Sequence, residues 1–295
     1  MMYLQSFLDG ILLGGVYAAI AVGLSLSFGV MNILNWAHGE LLMLSMFISF
    51  LLITAFGIDP YLTMFVNIVV MFAIGYLLQR NVFSTILKKD NDKEPMSVLI
   101  ATSGLGMILV SVATMLFGSN PMALTTAYTG KTIWLGDIVF SVPRTISFAI
   151  AIGATVGLYL LLQKTELGRA LRATAQNRHV AKLMGINTDR AYNIAFGMSL
   201  ALVGIAAALL IPNYAVYPAV GGSFALKSFV IVLLGGKGNV PGALIGGLTI
   251  GIIERIGAVI WTESYALMLV FVMFIIILLV MPDGIFSLKL GRKNV

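Results

Sequence analysis

Stretches of about twenty apolar residues recur along the whole chain, and nothing else in the sequence limits the fold as tightly. An α-helix rises 1.5 Å per residue, so about 20 such residues cross the roughly 30 Å hydrocarbon core of a bilayer. Candidate spans lie at 7–28, 41–57, 61–79, 96–117, 145–163, 191–211, 242–260 and 265–281. A shorter apolar run, 224–234, ends at Gly235-Gly236-Lys237-Gly238 and reads as a half-helix, a re-entrant piece or a ninth crossing. The chain is 59% apolar and 10% charged, whereas a soluble domain needs about 25% charged residues to coat its surface. The predicted fold class is therefore all-α, a polytopic transmembrane helical bundle of eight or nine segments with broken or re-entrant pieces, in one domain over 1–295.

Basic residues set the orientation, because loops rich in Lys and Arg stay on the cytoplasmic side. Four lie in 80–93, six in 164–190, and the tail adds Lys289, Arg292 and Lys293. Those segments are predicted cytoplasmic, with 118–144, 212–226 and the N-terminus outside. Passing from an external 212–226 to a cytoplasmic tail takes an odd number of crossings, so nine fit better than eight. The first apolar run has no Lys or Arg before it and reads as a retained span rather than a signal peptide.

Several function classes find no support. The formal charge of +6 is spent on topology, so nucleic acid is not expected as a partner. There is no cysteine, and neither His38 nor His179 has metal-ligand company, so no metal is expected. Gly235-Gly236-Lys237-Gly238 lacks the spacing of a phosphate loop, so no ATP or other cofactor is expected on this chain. No nucleophile and base can be assembled for an enzyme.

Three polar constellations remain. The segment 165–187 is too polar to span, and Leu171, Ala175 and Leu183 set against Arg169, Arg172, Arg178 and Lys182 give a short helix with mixed faces. Gly185 is expected to stop it. Its small residues, Gly168, Ala173 and Ala181 among them, would let another protein approach the backbone closely, and Leu171 between two arginines suits docking into a groove. At Arg178 only the positive charge is expected to matter. The alternative is a basic loop that fixes topology or touches anionic membrane lipid.

Asn32, Asn35, His38 and Glu40 fall within nine residues between two spans. They read equally as a wall of a substrate route or as helix caps, with the basic-residue pattern placing this break on the cytoplasmic side. Glu254 and its neighbour Arg255 lie inside a span, about 100° apart on the helix, so each needs a partner elsewhere. A buried structural ion pair or an interface contact is expected at Glu254 ahead of a proton-coupled carboxylate. Two Gly/Asn-rich breaks, at 29–41 and 235–244, also share a look.

The run Gly168-Arg169-Ala170-Leu171-Arg172-Ala173, the later Ala181 and Gly185-Ile186, Asn35-Trp36-Ala37-His38-Gly39-Glu40, Gly242-Ala243-Leu244-Ile245-Gly246 and Pro282-Asp283-Gly284 resemble permease subunits of branched-chain amino acid ABC importers. The resemblance covers nearly the whole chain and looks closer to the smaller of the two permease types. It implies an integral protein of the bacterial inner membrane that forms half of a channel. It also implies a second related permease, two cytoplasmic ATPase subunits that bind the ATP, and an external substrate-binding protein. The cytoplasmic segment carrying Gly168, Arg169, Leu171, Arg172, Ala173, Ala181 and Gly185 would be what the ATPases push. A permease for urea or short amides, and an ion-coupled secondary transporter, are the competing readings, though the latter usually needs carboxylates in several spans.

Overall fold

A computed structural model describes residues 2–89 and 96–280. The Pro282-Asp283-Gly284 motif and the basic residues Lys93, Lys289, Arg292 and Lys293 lie outside the described residues. Twelve α-helices follow one another there: α1 (Met2–Met31), α2 (His38–Phe56), α3 (Thr63–Leu78), α4 (Ser84–Lys89), α5 (Met96–Phe117), α6 (Val142–Lys164), α7 (Glu166–Gln176), α8 (Arg178–Leu183), α9 (Thr188–Leu210), α10 (Val220–Gly235), α11 (Val240–Ile260) and α12 (Glu263–Val280). A π-helical turn, Gln79–Phe83, joins α3 to α4, and an antiparallel hairpin of β1 (Thr132–Leu135) and β2 (Ile138–Ser141) precedes α6. Among the described residues, seven helices are long and apolar enough to cross a membrane: α1, α2, α3 with its continuation, α5, α6, α9 and α11. The helical, polytopic architecture expected from the apolar runs is what the chain adopts.

At the centre stands α1, which is buried nearly all round and apolar on every face. Helices in lipid gain little from hiding carbon from one another, so their association rests on close packing of small residues. On α1 that stripe is Gly10, Gly14 and Ala18, and it meets Gly247 and Gly251 of the antiparallel α11. A methyl added at Gly14 would stand 2.7 Å from the Leu248 Cα, and one at Gly247 would stand 2.6 Å from the Ala18 Cα. Polar side chains fasten other pairs: Asn67 of α3 donates to the Ser45 carbonyl (3.3 Å) and the Ser49 hydroxyl (2.7 Å) on α2 and to the Gly204 carbonyl (3.3 Å) on α9. Ser199 of α9 donates to the Gly23 carbonyl at 2.6 Å.

The two ends of the bundle are identified by their contacts. Gln5 at the start of α1 bonds Val139 of the hairpin in both directions (2.6 and 3.0 Å), and Met122 forms an isolated β-bridge with Val216. The N-terminus, 118–144 and 211–219 thus share one end, as the charge pattern requires of its external side. At the opposite end Gly29 packs against Gly238, so the two Gly/Asn-rich breaks touch each other.

Helix α10 resolves the doubt over 224–234. It begins just after Val216 at one end, runs antiparallel to α11 with Gly235 against Gly242 and Gly246 against Ile231, and hands over to Gly238 at the other end. The chain therefore changes ends along α10 and does not return on itself.

Candidate functional site

The polar break after α1 is built from local stops. Asn32 adopts φ 53°, the left-handed conformation that ends a helix, and its N–H still reaches the Phe28 carbonyl at 2.8 Å. The Asn35 side chain accepts from the Ala37 N–H at 3.1 Å, turning the chain into α2. Inside that turn the His38 ring nitrogen Nε2 meets the Ile20 carbonyl at 3.1 Å. Ile20 lies eleven residues before the end of α1, so α2 starts about 16 Å back along α1 from its terminus. The basic-residue pattern places this break on the cytoplasmic side, and from Gly29 at that end the chain folds back to middle depth, where irregular backbone is tolerated because protein covers it.

Of the four residues in this break, the structure gives Asn32 and Asn35 roles as a helix stop and a turn, and His38 a packing role in complete burial. Glu40 differs. It sits in the first turn of α2, and its Oε2 is buried without a hydrogen-bond partner. The carboxyl lies against Gly106 of α5, where a Cβ would stand 3.4 Å from the Glu40 Cδ, and it faces a cavity of about 390 Å3. Trp36 stacks on Phe229 of α10 with ring centroids 5.2 Å apart at the rim of that cavity.

A second polar cluster lies across α1. Lys227 of α10 donates to Glu254 Oε1 of α11 at 2.8 Å and to the Tyr17 hydroxyl at 2.8 Å, and Tyr17 donates to the same Oε1 at 3.2 Å. The ammonium also lies 4.7 Å from the Tyr17 ring centroid. Lys227 and Glu254 are thus a membrane-depth ion pair, one of the two arrangements expected for Glu254. Lys227 itself escaped the sequence reading; the signal was a single lysine inside an otherwise apolar sixteen-residue helix. Arg255 keeps its Nε buried and unpaired.

The segment after α6 forms a two-helix elbow. Thr165 caps α7, its hydroxyl accepting from the Gly168 N–H at 3.1 Å, and Asn177 caps α8 by accepting from the Val180 N–H at 3.0 Å. Gly185 closes α8 with φ 83° while the Ile186 N–H returns to the Ala181 carbonyl at 3.0 Å, the left-handed stop expected there.

Which side chains the elbow presents differs from the sequence reading. Leu171 is 1% exposed and packs into this chain's own core, and Ala181 is buried as well. Gly168 is pressed against the last turn of α6, where a Cβ would fall 2.1 Å from the Leu162 carbonyl oxygen, and Arg172 donates to that same carbonyl. Leu171 and Gly168 are therefore internal packing residues rather than an outward surface, because α7 doubles back onto the end of α6. Ala173 is half-buried, and Arg169 is exposed beside Glu166 at 3.3 Å. Arg178 is more than a charge: it pairs with Asp189 at 3.0 Å and covers the Tyr192 ring at 4.8 Å, tying α8 to α9. Outward-facing apolar side chains come instead from α8 and its end, at Val180, Leu183 (75% exposed) and Met184 (78% exposed).

The comparisons with known proteins agree along the length of the chain. Residues 6–278 match the family described as the permease component of branched-chain amino acid transport systems. The chain is 32% identical to the high-affinity branched-chain amino acid transport system permease protein BraD of Pseudomonas aeruginosa, with 99% of this chain and 97% of the relative covered. It is also 32% identical, with the same coverage, to the corresponding permease LivH of Escherichia coli K12. A probable permease LivH of Methanocaldococcus jannaschii is 30% identical over 85% of this chain and 80% of its own. Seven apolar spans among the described residues make the chain an integral, multi-pass membrane protein, and it belongs to the family of branched-chain amino acid transport permeases.

Proposed function

We propose that the chain is one of two permease subunits of an ATP-driven importer for branched-chain or similar apolar amino acids. Its partners would be a second, related permease, two cytoplasmic ATPase subunits and an external substrate-binding protein. The observation that carries this reading is end-to-end similarity to such permeases combined with an elbow, α7 and α8, that leaves Val180, Leu183 and Met184 bare on the basic end of the bundle. Three uncovered apolar side chains flanked by Arg and Lys are costly in water and suit the rim and core of a protein interface.

In this reading the elbow transmits force. Its short arms are capped at both starts, Gly168 and Arg172 lock α7 to α6, and Arg178 locks α8 to α9. A push on α8 would therefore tilt α6 and α9 together instead of unravelling the loop. Coupling residues fall into two groups: Arg169, with Val180, Leu183 and Met184, as the surface, and Gly168, Leu171, Arg172, Ala173, Ala181 and Gly185 as the frame.

The test is reconstitution. Co-expressed with a second permease, ATPase subunits and a binding protein of such a system, the complex in proteoliposomes should take up labelled leucine only with ATP and binding protein present. Uptake that persists without ATP and follows an imposed ion gradient would make the chain a secondary transporter and overturn the proposal.

A further inference from the structure

The cavity beside Glu40 is a cleft that opens on the outside of the bundle, with Met107 and Trp36 on its exposed side. Its walls are Trp36, Glu40, Ser103, Met107, Val110 and Ser111, with Gly106 opening space above the carboxyl. One end is acidic, through a carboxylate oxygen that is buried and makes no hydrogen bond. The long wall is apolar, through Met107 and Val110, and no Lys, Arg or His lines it among the described residues. A carboxylate held at membrane depth without a counter-ion is costly, and such groups face a partner or a route. A volume of about 390 Å3 falls in the range of small-molecule sites. Two anchors hold it in place: the Trp36 N–H donates to the Thr102 hydroxyl at 3.2 Å, and the indole is stacked on Phe229.

We propose that this cavity binds the ammonium group and aliphatic side chain of the transported amino acid, with Glu40 as the counter-ion to the ammonium. The proposal rests on the importer reading and deepens it by assigning the substrate's place in this subunit. An ammonium would donate to the Glu40 Oε2 that has no partner, Met107 and Val110 take a branched aliphatic chain, and the carboxylate is left at the open mouth near the serine hydroxyls. Glycine at 106 is what leaves room over the carboxyl, since a larger residue there would touch it.

The experiment uses the whole reconstituted importer and a diazirine analogue of leucine, photolysed during turnover, with labelled peptides read by mass spectrometry. Label is expected within 103–111, centred on Met107 and Val110. Glu40→Gln should reduce both that label and leucine uptake on the order of tenfold, as the loss of one charge-assisted bond does. Binding-protein-stimulated ATP hydrolysis and co-purification of the second permease should persist, and Glu40→Asp should recover part of the label. Three results would overturn the site: a transporting wild-type complex with no label in 103–111, labelling unaffected by Glu40→Gln, or loss of the second permease from the Glu40→Gln complex. The last would mean that a basic side chain of the neighbouring subunit fills the cavity. Absence of any ATP-dependent uptake by the unmodified complex would instead remove the importer reading, and the site with it.

Discussion

Lys227 and Glu254 illustrate how single residues in this fold depend on each other. Each sits on an apolar helix, and each is partly buried, with side chains 12% and 20% exposed. Removing one partner strands the other charge, which costs about 3 kcal/mol for a buried pair, whereas removing both can be nearly neutral. Lys227→Met and Glu254→Gln alone should each lower the thermal stability of the detergent-solubilised protein, and the double variant should recover most of it. Additive losses would mean that the two groups act separately, as they would if Glu254 carried protons. Arg178 follows the same logic with a softer outcome. Lys at that position retains charge but loses the planar guanidinium over Tyr192. Arg178→Lys should therefore loosen α8 by about 1 kcal/mol, visible as faster hydrogen exchange of the 178–184 amides, instead of leaving the elbow unchanged.

At the scale of elements, the elbow separates what the sequence could show from what it could not. The stop at Gly185 was legible from residue type and spacing alone, whereas the caps at Thr165 and Asn177, which divide the expected single helix into α7 and α8, were not read. The facing of α7 was not legible either. Its arginines and leucines alternate at helical period, and only the docking of α7 onto the end of α6 decides that Leu171 points inward, leaving Leu183 and Met184 of α8 and its end as the bare apolar side chains. Two classes of variant should consequently behave differently. Leu183→Asp and Met184→Asp should insert and fold normally yet reduce co-purification of the ATPase subunits on the order of tenfold or more, as loss of an interface anchor does. Leu171→Asp and Gly168→Val should instead lower the yield of folded protein, because a buried charge or a Cβ against the Leu162 carbonyl disrupts the frame. Normal ATPase capture by Leu183→Asp and Met184→Asp would show that the partner docks elsewhere.

For the whole molecule, the length of the apolar runs revealed the spans because lipid demands it, but it left the path of 224–234 open since eleven residues lie below the usual crossing length. Close glycine packing, which no single-helix pattern reveals, carries α10 from the hairpin end to Gly238 beside Gly29. The depth of the break at 32–37 stayed hidden for a related reason: charge counting sees which side a loop lies on but not that the chain climbs back to Ile20 before α2 begins.

The sidedness that follows can be tested cleanly because the natural chain contains no cysteine, so each engineered thiol reports alone. The hairpin end is external if the basic elbow is cytoplasmic, as the excess of Lys and Arg in 164–190 requires. Tyr128→Cys should then react with a membrane-impermeant maleimide in intact cells, and Asn177→Cys only after permeabilisation. Lys237→Cys decides the path of α10. Lys237 lies exposed beside Phe28, 5.2 Å from its ring centroid, at the same end as the elbow, so it should label only after permeabilisation. A re-entrant α10 would return Lys237 to the side of Val216 and give labelling in intact cells. That outcome would also place α11 and α12 in the opposite sense and put the C-terminus outside. The antiparallel seam of α11 against α1, with Gly247 on Ala18 and Gly251 on Gly14, forbids this, because reversing α11 would set bulky side chains where only glycine fits.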